Sequence, residues 1–252
     1  MDEDDDGPAV LLNADLDVIT QRHTAAHELG HHRLGHRSAA DDNLDPSARW
    51  GDRSWPDHEK VAEAFAAWFL MPRPAVLRAV KQVAGGAGPS RPEHVYLVAR
   101  ALGTSYAGTV RHLARLRLLT HEQADRWHGI APSALKSSLC GGRNVPSGSH
   151  VHAVGTPCHG RRVYADTGDL LVLLMPGAHF DPPPPGLALW TGGAPGDGQG
   201  KGLPHKWQTL QVTEDLDGSA TVTVNIADSD DPFGLAVTRQ SPRTGSDDIW
   251  PT

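Results

Sequence analysis

The pattern His27-Glu28-Leu29-Gly30-His31 constrains this 252-residue chain more than any other feature of it. Residues four apart share one face of an α-helix, so His27 and His31 can present two imidazole nitrogens to a single tetrahedral zinc ion. Glu28 is turned about 100° away from that pair, which aims its carboxylate at a water on the metal's open side. Ala25, Ala26, Leu29 and Leu34 give the segment a side that can be buried, and Thr20 is a candidate N-cap. Gly30 costs a helix about 1 kcal/mol relative to alanine, which points to a close approach by something else. A zinc-bearing helix is therefore expected from about Thr20 to about Gly35.

Composition narrows the rest. The chain is long enough for one large or two modest domains, and 27 Gly with 20 Pro predict a loop-rich part beside a compact one. A formal charge of -7 argues against coating nucleic acid through global charge. No run of about 18 apolar residues is present, and Met1 to Asp6 has neither the basic nor the apolar region of a signal peptide, so the expected location is cytoplasmic, with no membrane partner. Cys140 and Cys158 are the two cysteines, outside the His-rich helix and not in C-x-x-C spacing; free thiols are expected.

Along the chain, residues 1–7 read as a disordered acidic leader and Ala9 to Asn13 as a short strand. Ser38 to Asp57 is polar and long for a connection. From Glu59 to Leu70, Val61, Ala62, Phe65, Ala66, Phe69 and Leu70 recur at helical spacing up to the stop at Met71-Pro72. Shorter helices are expected over Ala75–Val83, Pro92–Leu102, Tyr106–Leu119 and Thr120–Trp127. The pair around Gly103 has a helix-turn-helix outline over about 91–127, with six Arg against three acidic residues. Packing is preferred over DNA binding for it, because the global charge is negative.

After about Ser137 the pattern changes to short alternating runs between Gly and Pro turns: His150–Val154, Arg162–Ala165, Leu170–Met175, Leu187–Trp190, Trp207–Val212, Ala220–Ile226 and Leu235–Thr238. Asp217-Gly218 reads as a hairpin turn. His150, His152, His159, His179 and His205 are read as surface or strand residues. The fold class is thus α+β: a mainly helical, zincin-like domain over 8–136, a small antiparallel β-rich region over 137–240 without an assigned role, and a flexible tail over 241–252.

A hydrolytic zinc site needs three protein ligands and one open position. A third His in the pattern H-E-x-x-H-x-x-G-x-x-H is excluded, since Leu34 stands at the Gly position and Arg37 at the His position, while His36 falls one residue early. A carboxylate from the Glu59–Leu70 helix remains, and Glu59 and Glu63 both qualify by spacing.

The blocks Gln21-Arg22-His23-Thr24-Ala25-Ala26-His27-Glu28-Leu29-Gly30-His31 and Glu59-x-x-Ala62-x-x-Phe65-Ala66-Ala67-x-Phe69-Leu70-Met71-Pro72 together resemble the ImmA/IrrE family of metallo-endopeptidases. The likeness covers roughly residues 8 to 136. It implies zinc held by His27, His31 and Glu59, with Glu28 as general base, and it favours Glu59 over Glu63 because the ligand position lies three residues before Ala62. His23 stands where an aromatic is usual and Glu63 where Asn is common. The resemblance also implies a protein substrate, a helix-turn-helix repressor. In the mechanism expected, zinc lowers the pKa of a water to about 7 and polarises the scissile carbonyl, and Glu28 moves the proton to the leaving amine. The alternative is a DNA-binding or ligand-sensing transcription regulator that uses the zinc fold as a scaffold. Oligomeric state is not legible.

Overall fold

The structure, a computed structural model, describes residues 9–36, 56–85, 88–175, 177–192, 208–227 and 231–239. The expected leader over 1–7, the tail over 241–252, His205 and most of Ser38–Asp57 lie outside the described residues. Those described form seven α-helices and eight strands: α1 (Val18–Arg33), α2 (Asp57–Leu70), α3 (Arg73–Ala84), α4 (Pro92–Leu102), α5 (Tyr106–Arg115), α6 (His121–His128), α7 (Pro132–Leu139), β1 (Val151–Val154), β2 (Arg162–Ala165), β3 (Leu170–Leu173), β4 (Ala178–Phe180), β5 (Leu187–Leu189), β6 (Thr209–Val212), β7 (Ser219–Ile226) and β8 (Phe233–Arg239). None of the helices is long and apolar enough to cross a membrane.

The chain divides into two compact units. The first joins residues up to Ser90 with Val98–Gly129; the second joins Arg91–Leu97 with Ile130 onward. The expected boundary at 136/137 therefore shifts to 129/130, and it would have cut α7. Helix α4 contributes residues to both units, which a division by hydrophobic pattern along the chain does not anticipate.

In the first unit the helical periodicity is realised, with Ala62, Ala66, Val76, Val110 and Leu113 fully enclosed. The N-cap of helix α1 lies three residues earlier than expected. Asp17, not Thr20, is the N-cap, its carboxylate accepting from the backbone N–H of Ile19 and Thr20 at 3.0 Å and from the Thr20 hydroxyl at 2.6 Å. Burial alone would raise the Asp17 pKa, but these hydrogen bonds hold it below the usual value. The run Ala9–Asn13 is not a strand: it is irregular, Leu11 is 94% exposed, and Asn13 instead closes a turn with Leu16. Apolar character over five residues does not make a strand without a partner to accept its backbone hydrogen bonds.

The second unit holds two four-stranded sheets, ordered β1-β3-β6-β5 and β2-β8-β7-β4. Leu171, Leu173 and Leu210 of one sheet and Val222, Val224 and Leu235 of the other share a single apolar core, so the sheets form a sandwich. Most pairings are antiparallel as expected, but β1 with β3 and β2 with β8 run parallel. The Asp217-Gly218 turn is a correction, because it leads from β6 in one sheet to β7 in the other and closes no hairpin.

Asp169, 2% exposed, ties this unit together. It accepts from the backbone N–H of His150 at 2.7 Å and of Asp166 at 3.0 Å, and it meets His152 Nε2 at 3.1 Å. Burial would raise its pKa, yet the His152 ring and these N–H donors bring it below the usual value. A lowered carboxylate pKa contributes stability that is complete above about pH 4 and is lost as pH falls through the folded-state value. Asp169→Asn is expected to destabilise the second unit by about 1–3 kcal/mol at neutral pH and to flatten its acid unfolding curve, measured by thermal melts from pH 7 to pH 3.

Candidate metal centre

Helices α1 and α2 pack closely because Gly30 lets them. A Cβ at Gly30 would lie 3.1 Å from Phe65 Cδ1 and 3.3 Å from the Ala62 backbone, the close approach that a glycine in mid-helix signals. Gly30→Val is expected to push α2 away, lowering stability by about 1–3 kcal/mol and weakening zinc binding, read by thermal unfolding and zinc titration.

Across this contact one donor atom each of His27, His31 and Glu59 comes together, all within 4.8 Å of one another. His27 Nε2 is 3.1 Å from Glu59 Oε2, His31 Nε2 is 3.0 Å from His27 Nε2, and His31 Nε2 is 3.5 Å from Glu59 Oε2. Metal bonds of 2.0–2.1 Å at tetrahedral angles set donor atoms about 3.3 Å apart, so the triangle has the size that zinc requires. The residues fit the ion. Glu28, half-buried on α1, follows His27 directly.

Behind the triangle each imidazole is oriented through its other nitrogen. His27 Nδ1 is 3.7 Å from Glu63 Oε2, and the same oxygen lies 3.1 Å from His23 Nε2. Burial would raise the Glu63 pKa, but the His23 and His27 rings beside it bring it down to about 2. For His27, burial lowers the pKa, and the Glu63 and Glu59 carboxylates more than offset this and raise it. The two glutamates thus face different nitrogens of His27, Glu59 the converging Nε2 and Glu63 the outward Nδ1, a separation that spacing on α2 cannot make. His23 does not join the triangle; it pairs with Glu63.

His36 is where spacing misleads. Counted along a continuing helix it falls on another face, but α1 stops at Arg33 and Gly35 takes a left-handed turn at φ +68°. Gly35 N–H donates to His32 O at 3.3 Å and His36 N–H to His31 O at 3.0 Å, the double bond of a Schellman cap. The reversal sets His36 Nδ1 3.0 Å from His31 Nδ1. Gly35 was the sequence signal for it. The exposed His58 completes the rim, its Nε2 3.4 Å from Glu59 Oε1.

Residues 1–101 match the family model described as Peptidase_M78, IrrE N-terminal-like domain. This segment is similar to that domain family. The metal-sized triangle on α1 and α2 lies within the matched segment. No curated protein matches the chain. A solved structure, the cysteine protease inhibitor EhICP2 from Entamoeba histolytica, aligns with 37% of this chain and 99% of its own at 10% identity and a TM-score of 0.25, too low to carry an argument.

Proposed function

We propose that the IrrE N-terminal-like domain is a zinc-dependent endopeptidase. The observation that carries this reading is the convergence of His27 Nε2, His31 Nε2 and Glu59 Oε2 at tetrahedral-edge distances, one residue from Glu28. When bound there, zinc supplies Lewis acidity toward a water and the scissile carbonyl. Glu28 accepts the proton of the attacking water and returns it to the leaving amine. Glu63 and His36 hold the two imidazoles with Nε2 toward the ion, fixing tautomer and ring angle.

The substrate we propose is a protein, a helix-turn-helix repressor, acted on in the cytoplasm. Direct DNA binding by residues 91–127 is not favoured. Arg22 Nη1 donates to the Gly103 carbonyl at 2.9 Å and to Leu102 O at 3.3 Å, so α1 occupies the turn between α4 and α5. Purified full-length chain is expected to cleave such a repressor and to stop when a chelator is added. Tight operator binding that falls steeply with salt, with no cleavage, would favour the scaffold alternative instead.

A further inference from the structure

Within the first unit, on the far side of Glu63 from the metal triangle, lies a cavity of about 230 Å³. At about 30 Å³ per water it has room for roughly eight non-hydrogen atoms. Ile19, Leu70 and Met71 give it an apolar wall. Arg111, whose Nη1 is also 3.2 Å from His128 Nε2, and Arg115 line it too, on a helix whose first turn borders the space, so the positive end of its dipole adds to their charge. Glu63 completes the lining. Its Oε2 is enclosed, 3.1 Å from His23 Nε2 and 3.7 Å from His27 Nδ1, and a carboxylate oxygen has room for a further donor. A buried carboxylate oxygen in that position is poised to accept from a ligand donor.

We propose that this cavity is a binding site for a free aliphatic α-amino acid. Its carboxylate meets Arg111 and Arg115, its ammonium donates to Glu63 Oε2, and its side chain covers Ile19, Leu70 and Met71. An ammonium and a carboxylate on the same carbon distinguish a free amino acid from any residue inside a peptide, and a chain of three or four side-chain carbons fills the volume. None of the three converging donor atoms of the metal centre lines the cavity, and the test below needs no turnover, so this proposal can fail while the peptidase reading stands.

The experiment is calorimetric titration of the full chain, zinc-loaded and metal-free, with leucine, with leucinamide, which lacks the carboxylate, and with 4-methylpentanoate, which lacks the ammonium. Leucine is expected to bind both forms of the protein, with each analogue at least tenfold weaker. Arg111→Gln combined with Arg115→Gln should weaken leucine at least tenfold. Ala107→Leu, which fills the cavity from α5 without changing its charge, should abolish binding while circular dichroism stays unchanged. Absence of leucine binding, equal binding of the analogues, or indifference to both variants would overturn the proposal. So would binding confined to the zinc-loaded protein, since an α-amino acid chelates zinc directly.

Discussion

Glu28→Gln is expected to lower the rate of peptide-bond cleavage by on the order of 10²–10⁴-fold or more, while the protein keeps its zinc. The amide preserves the shape of the side chain but cannot accept the proton that the attacking water must lose. Glu28 lies on α1 one residue beyond His27, and it is not among the three residues whose donor atoms converge. The two readouts separate its role from theirs. The assay substrate is the helix-turn-helix repressor class proposed above, with zinc content measured on the same preparation. Loss of zinc together with loss of cleavage would make Glu28 a ligand and the division of roles wrong.

Glu59→Ala is expected to abolish tight zinc binding, whereas Glu63→Ala should weaken it by only about 10–100-fold. The difference follows from which nitrogen each carboxylate faces. Glu59 Oε2 lies 3.1 Å from His27 Nε2, inside the triangle, while Glu63 Oε2 lies 3.7 Å from His27 Nδ1, behind the ring. His36→Ala should resemble Glu63→Ala, because its Nδ1 stands 3.0 Å from His31 Nδ1. Competitive zinc titration of the three variants decides the order. Zinc retained by Glu59→Ala and lost by Glu63→Ala would reverse the assignment.

The helix bearing His27 and His31 and its partner are legible in the sequence because each carries a pattern with a mechanical cause. The i, i+4 histidines need a helix, Gly30 needs a close neighbour, and the stripe of Ala62, Ala66 and Ala67 needs something to bury it. Spacing on α2 left Glu59 and Glu63 equivalent, since residues one turn apart share a face; the family resemblance favoured Glu59, and the distances to His27 part the two in space. His36 was hidden by a helix end. Its position depends on the left-handed turn at Gly35, and a count along an unbroken helix places it wrongly.

In the second unit the alternating runs mark the strands well, but alternation says nothing about which strands pair. The parallel pairing of β1 with β3 and of β2 with β8, and the role of Asp217-Gly218 as a crossing between sheets, are set by the shared core of the sandwich. The strand β4 (Ala178–Phe180) was too short to show alternation, and α7 fell across the expected boundary. The buried Lys136, whose ammonium donates to the Ser147 and Ser149 carbonyls at 2.8 Å, has no sequence signature, because a charged residue in a short helix reads as solvent-facing.

The central claim is that one zinc is held by two imidazoles and one carboxylate on α1 and α2. X-ray absorption at the zinc edge of the loaded full-length protein addresses it without any substrate. The expected spectrum has only nitrogen and oxygen neighbours at about 2.0–2.2 Å, with the outer-shell scattering of two imidazole rings, and one zinc per chain that disappears in His27→Ala with His31→Ala. A sulfur neighbour at about 2.3 Å would place the ion on Cys140 or Cys158 instead, and that result, or zinc retained by the double variant, would contradict the account.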